Sequence, residues 1–157
     1  MLDPWVQNLD FSGIKNKMRD PHEGNNWSES TLEFAEQEYR RFLTLCLLEP
    51  HLDVVPSRLV DEFWHNHILD TMAYQDDCQK VFGGYLHHYP YLGLGSAAAR
   101  RDLDAAFSRT VSAYETHFGP YPEDRLAATR CAGHACHVPS ACACRVPGTC
   151  KNNQVPA

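Results

Sequence analysis

Ser30-Thr31-Leu32-Glu33-Phe34-Ala35-Glu36-Gln37-Glu38-Tyr39-Arg40-Arg41-Phe42-Leu43-Thr44-Leu45-Cys46-Leu47-Leu48-Glu49-Pro50 is the stretch that decides the fold class. Leu32, Ala35, Tyr39, Phe42, Leu43, Cys46 and Leu47 recur at three and four, the spacing of one face of an α-helix. Ser30 followed by Glu33 is a capping-box pattern, in which the serine oxygen takes the N–H three residues on and the glutamate reaches back. Pro50 ends the helix, because proline lacks the N–H that would continue the ladder and its ring clashes with the preceding turn.

Working outward gives the same helical period on both sides. Phe11, Ile14 and Met18 predict a short helix or cap that closes near Asp20, and residues 20–27 are turn-rich. After Pro56 a helix is expected from Ser57 through Val60, Phe63, Trp64, Ile68 and Met72. It either continues to Val81 or kinks and restarts, before Gly83-Gly84. A loop rich in aromatics, His, Pro and Gly runs from Tyr85 to Gly95. Leu103, Phe107, Val111 and Tyr114 mark a further helix from Ser96 to Phe118, stopped by Gly119-Pro120. No β-alternation persists, so the expectation is an all-α domain, a small bundle of about four helices. The domain is expected over 1–130, with an irregular Cys/His-rich tail over 131–157.

Composition bounds the function. The chain has 157 residues, 43% hydrophobic and 22% charged, enough apolar material for one core. Its longest apolar run, Phe42 to Leu48, contains Thr44 and falls far short of the ~20 residues a membrane helix needs. Asp3, Pro4 and Asp10 stand where an export signal would be cationic and then apolar. A net charge of −6 argues against a nucleic-acid partner, which requires a basic face. The expectation is a cytoplasmic protein without nucleic-acid or membrane partners; a protein partner stays open, and a small-molecule substrate is not specified.

The histidines carry the first chemical signal. On a helix at 100° per residue, Val60, Phe63, Trp64, His67, Thr71, Tyr74 and Cys78 share one stripe, whereas Asp61, His65, Leu69 and Met72 lie on another side. His65 and His67 are then about 200° apart and cannot chelate one ion from a straight helix. Asp61 and Glu62 both lie within one turn of His65, where a carboxylate can orient an imidazole or share a metal with it. Glu62-x-x-His65 has the di-iron spacing, but such centres need a second copy and none is found. His87 and His88 follow a loop and can fold back, so that two imidazoles and a carboxylate would make a facial site for iron, zinc or copper. Against this stands a structural role: His67 as a core hydrogen-bonding residue, His87-His88 as a clasp tying the turn to helix ends, and Cys78 as a buried small hydrophobe.

Tyr39-Arg40-Arg41-Phe42-Leu43, Val55-Pro56-Ser57, Asp61-Glu62-Phe63-Trp64-His65, Ile68-Leu69-Asp70-Thr71, Tyr74, Cys78, Phe82-Gly83 and Leu86-His87-His88-Tyr89-Pro90 follow one another in an order that resembles the glycine-rich-domain-protein-like family. These are small bacterial proteins related to the N-terminal region of plant glycine-rich domain proteins. The resemblance covers roughly Trp27 to Gly93 and extends weakly into the last helix. It implies His65, His87 and His88 as site positions and a structural role for His67. Plant members carry further domains and are associated with development and stress responses, which is not carried over to this chain. The tail departs from the Cys/Gly-rich tails of bacterial relatives, so its role rests on its own chemistry.

Five of the seven cysteines, Cys131, Cys136, Cys142, Cys144 and Cys150, crowd into the tail with His134 and His137 between them. The tail has no Asp or Glu and carries +2 through Arg145 and Lys151, leaving −8 on residues 1–130. Sulfur and imidazole without carboxylate form a soft ligand set, suited to zinc or Cu(I). Cys131 to Cys136 approximates a zinc-knuckle spacing but Cys142 to Cys144 does not. Disulfides or a redox-responsive tail, and a disordered or modified tail, remain open beside metal ligation.

Three functions follow. The first is a transition-metal-binding protein that sequesters, delivers or senses zinc, copper or iron. The second is a mononuclear metalloenzyme built on Asp61 or Glu62, His65, His87 and His88. The third is an interaction module or modification substrate that presents the Cys-rich tail. Phosphate loops, dinucleotide fingerprints and Ser-His-Asp order are missing, and Gly93-Leu94-Gly95 is too short for a phosphate loop. A Cys78–His87 nucleophile pair is disfavoured because Cys78 is expected to be buried.

Overall fold

A computed structural model describes residues 1–122. The expected tail ligands Cys131, His134, Cys136, His137, Cys142, Cys144 and Cys150, and the boundary at residue 130, lie outside the described residues. Within them the chain is all-α, with helices α1 (Pro4–Gln7), α2 (Ser12–Arg19), α3 (Glu29–Leu48), α4 (Arg58–Leu69), α5 (Thr71–Phe82) and α6 (Ala97–Phe118).

The two helices beyond the expected number come from local capping. Asp3 accepts the N–H groups of Trp5 and Val6 at 2.9 and 3.2 Å, and Pro4 has the φ a first turn requires, so four residues suffice for α1. Asp70 divides the other pair: its N–H closes the last turn of α4 on the His67 carbonyl, while its carboxylate accepts the Ala73 N–H at the start of α5. The start of α3 also differs from expectation. Ser28, not Ser30, is its cap, with its hydroxyl accepting the Thr31 N–H at 3.2 Å, because Ser30 already lies inside the helix. Ser57 caps α4 and Ser96 caps α6 by the same device.

Helix α3 packs most extensively on α4. Between them lie Phe11, Tyr39, Phe63 and Trp64, with Phe11 and Phe63 edge-on at 5.5 Å. Burial of each such ring contributes roughly 1.5–3 kcal/mol. Arg40 on α3 ties down the N-terminal helices: it donates to the carbonyls of Val6 and Leu9, at and just beyond the end of α1, and lies 4.6 Å over the Phe11 ring. Helix α6 closes the other side of α3 through Tyr114, which donates to Glu38 at 2.8 Å and accepts from Arg41 at 2.7 Å.

The segment between α5 and α6 is pinned at both ends. Gly83 takes a left-handed φ of 67° to end α5. Gly93, at φ 85°, lies where a Cβ would come within 2.6 Å of Leu103 Cδ2 on α6. No described helix is long and apolar enough to cross a membrane.

Candidate metal centre

Asp61 sits in the first turn of α4, where the helix dipole favours a negative charge. One turn later His65 leaves the same face, as the i,i+4 spacing requires. Asp61 is 0% exposed, while His65 is partly exposed. The third residue comes from the segment after α5. His88 brings its Nε2 to 3.3 Å from Asp61 Oδ1, and its ring centroid lies 4.6 Å from that of His65 and, edge-on, 4.7 Å from that of Trp64.

One donor atom from each of Asp61, His65 and His88 lies within 4.8 Å of the other two, so the three form a group that could hold a metal ion. The distances fit that chemistry. Ligands about 2.0–2.1 Å from a tetrahedral ion stand roughly 3.3 Å from one another, and the Asp61–His88 separation already matches such an edge. The remaining edges are at most 4.8 Å, so His65 would have to draw in by no more than about 1.5 Å, within the reach of a rotamer adjustment. The decisive atom is Asp61 Oδ2, which is buried and has no hydrogen-bond partner among the described residues. An unmet buried acceptor costs ~1–3 kcal/mol, and more for a charged group, so a cation beside it answers a deficit that the His88 contact alone leaves.

The other histidines are placed differently. His67 is in the core, 2% exposed, with the Tyr39 hydroxyl 2.9 Å from Nδ1 and Asp77 Oδ2 3.2 Å from Nε2. Both ring nitrogens are used, which gives it the structural role expected from its stripe. Burial pushes the Asp77 carboxyl up, but the hydrogen bond from His67 and the charges of His67 and Lys80 outweigh it and hold the group below its ordinary value. His87 is exposed and lies against Tyr85, with ring centroids 4.9 Å apart, outside the three-residue group. Burial alternates along this stretch, with Leu86 inside, His87 outside and His88 half-buried, so residues two apart share the side facing α4.

Glu62 also stands outside the group. Its Oε1 accepts from Asn25 Nδ2 at 2.9 Å, so it faces the 20–28 loop, where Asn66 also reaches Asn25. Cys78 is buried, and burial pushes its thiol pKa up, the opposite of what a nucleophile needs. A cleft of about 560 Å³ between α1–α2 and α5 is lined by Trp5, Asp10, Asp70, Asp77 and Lys80 among others, but by none of the three grouped residues.

Trp64 and Tyr74 are the supporting residues that sequence reasoning passed over as core. Trp64 Nε1 donates to the Tyr74 hydroxyl at 2.9 Å, which orients the indole that flanks His88. Their position on one stripe was readable, but their closeness to His88 depends on the fold-back of the loop.

A family model described as UCP032817-like matches residues 4–117, a span that holds all six helices up to the last residue of α6 and all three grouped residues. The chain is similar to glycine-rich domain-containing protein 1 of Arabidopsis thaliana, with 31% identity over 96 residues. That alignment covers 59% of this chain but only 12% of the plant protein. No solved structure matches the chain. With the match running almost the whole length of the bundle, this chain belongs to the UCP032817-like family, a glycine-rich-domain-like family.

Proposed function

We propose that this protein binds a divalent transition-metal ion through Asp61, His65 and His88, and that it sequesters, delivers or senses that ion in the cytoplasm. The observation that carries the reading is a buried carboxylate, Asp61, grouped with two imidazoles brought from separate segments while its Oδ2 has no hydrogen-bond partner among the described residues. Two imidazoles and a carboxylate suit zinc, iron(II) or copper(II), and the absence of sulfur from this donor set disfavours Cu(I). The thiol-rich tail would supply a second, softer set of ligands, Cys131, Cys136, Cys142, Cys144 and Cys150 with His134 and His137, for zinc or Cu(I).

The test is metal content by plasma mass spectrometry on protein purified without chelator or affinity tag. The full chain is compared with a chain ending at Arg130, and each with Asp61→Asn, His65→Ala and His88→Ala. About one equivalent that survives truncation and disappears with each substitution supports the bundle site. Metal found only in the full chain would move the function to the tail and leave the histidines structural. Absence of metal from every form would overturn the reading in favour of an interaction module.

A mononuclear metalloenzyme is a second reading, favoured by the number of donors. Three protein ligands leave at least one position of a tetrahedral ion for water, the arrangement that catalytic zinc sites use. Exchange of a bound water, followed by nuclear relaxation in a cobalt-substituted protein, distinguishes an open position from a closed one.

A further inference from the structure

Leu86, two residues before His88, is fully buried, and its backbone carbonyl is held by α5. The Tyr74 hydroxyl donates to the Leu86 carbonyl. The same Tyr74 hydroxyl accepts the Trp64 Nε1–H at 2.9 Å, and the Trp64 ring stands edge-on to the His88 imidazole. One buried oxygen therefore connects the backbone that leads to His88 with the ring that flanks it.

We propose that Tyr74 is a positioning residue for the Asp61/His65/His88 site, setting the register of the returning segment so that His88 and not His87 meets Asp61. This rests on the metal-binding reading of those three residues. Burial alternates from Leu86 to His88, so a slip of one residue would turn His88 outward and present His87 in its place. Clamping the Leu86 carbonyl opposes that slip, while the Trp64 contact limits the ring's tilt. Such supporting hydrogen bonds change metal affinity by about 10–100-fold when removed.

The experiment is a zinc titration against a chromophoric chelator. It uses the full chain carrying Cys131→Ser, Cys136→Ser, Cys142→Ser, Cys144→Ser and Cys150→Ser, so that the bundle dominates the signal. Tyr74→Phe is compared with Tyr114→Phe, which also deletes a hydroxyl from a polar network, but on the side of α3 facing α6. Both variants are expected to lower the melting temperature, and only Tyr74→Phe to raise the zinc Kd by about 10–100-fold. Should Tyr74→Phe fail to fold, Trp64→Phe decides, since it removes the indole N–H that the Tyr74 hydroxyl accepts and keeps a ring against His88, with a several-fold weaker Kd expected and an unchanged one overturning the proposal. Zinc binding by Tyr74→Phe as tight as that of Tyr114→Phe would overturn the positioning role and leave the metal site standing. No zinc binding by the parent chain would overturn the metal reading and this inference with it.

Discussion

Replacing Asp61 by Asn should move stability and metal binding in opposite directions. In the metal-free protein the carboxylate is fully buried, and among the described residues only Oδ1 has a partner, His88 Nε2 at 3.3 Å. The amide keeps the shape and can still pair with the imidazole, but removes the charge that Oδ2 leaves unmet. Relief of part of a ~1–3 kcal/mol penalty gives a gain of about 1 kcal/mol. For a fold of this size that is roughly 4 °C in melting temperature. Metal at 100 times its Kd should stabilise the parent protein by about 2.7 kcal/mol, roughly 10 °C on the same scale. Asp61→Asn should show little of that shift, because an amide is a poor ligand beside an anionic one. The assay is a thermal melt followed by circular dichroism, with chelator and with zinc. A metal-free variant less stable by 2 kcal/mol or more, with an undiminished zinc shift, would refute the reasoning and make Asp61 a structural partner of His88.

The remaining predictions concern neighbouring groups. His88→Ala should abolish zinc binding to the bundle whereas His87→Ala should leave its affinity within about twofold, read by the same titration, since His87 is exposed against Tyr85. Tyr39→Phe should lower stability by about 1–3 kcal/mol in urea unfolding, because His67 Nδ1 loses its buried partner, and should leave the metal content unchanged. Glu36 is pushed up by burial but held below its ordinary value near 4.5 by hydrogen bonds and charge from Lys15 and Arg40. A depressed folded pKa contributes stability that is present above the ordinary value and lost as pH falls through the folded one. The melting temperature should therefore drop below pH 4.5, and Glu36→Gln should flatten that part of the profile. Gly93→Ala should cost ~1–3 kcal/mol in the same unfolding assay, since the new Cβ meets Leu103 at a positive φ.

The helices were legible because their signals are local. Leu32 to Leu47 carry a 3.6-residue period, and Pro50, Gly83 and Gly119 stop their helices by backbone chemistry that neighbours do not alter. The start of α3 was misplaced by two residues because Ser28 and Ser30 offer the same hydroxyl, and only the path of the incoming chain decides between them. The break at Asp70 could be stated only as a kink or restart, since an aspartate inside a helix and one capping a helix look alike in sequence. At the site, the i,i+4 pairing of Asp61 with His65 was a property of one helix and could be read directly. The choice between His87 and His88, and between Asp61 and Glu62, depended on where the loops at 20–28 and 85–90 come to rest. Those are long-range contacts, and periodicity carries no information about them.

The bundle contains two carboxylate–histidine pairs that test what separates a structural imidazole from a ligand. Asp77 and His67 form a closed circuit: Tyr39 meets one ring nitrogen, Asp77 Oδ2 the other, and Asp77 Oδ1 reaches Lys80 Nζ at 3.5 Å. Every polar atom in that circuit has a partner, so an added cation would have to displace a hydrogen bond or the lysine charge. Asp61 and His88 start from a similar contact, 3.3 Å against 3.2 Å, yet Asp61 Oδ2 has no partner among the described residues and a second imidazole, His65, stands beside the pair. Burial does not explain the difference, since Asp61 is the more buried of the two carboxylates. What differs is the balance of donors and acceptors. Bringing a positive charge near the second circuit should weaken its pull on a cation: Leu69→Lys, one turn beyond His65 on the same face, places an ammonium beside His65, about two helical turns from Asp61. If the open oxygen is what draws a cation, that variant should compete with zinc, with a Kd raised at least tenfold and a metal-free melting temperature unchanged or higher. An unchanged zinc Kd in Leu69→Lys would mean that local charge does not govern the site, and that the two pairs differ only in packing.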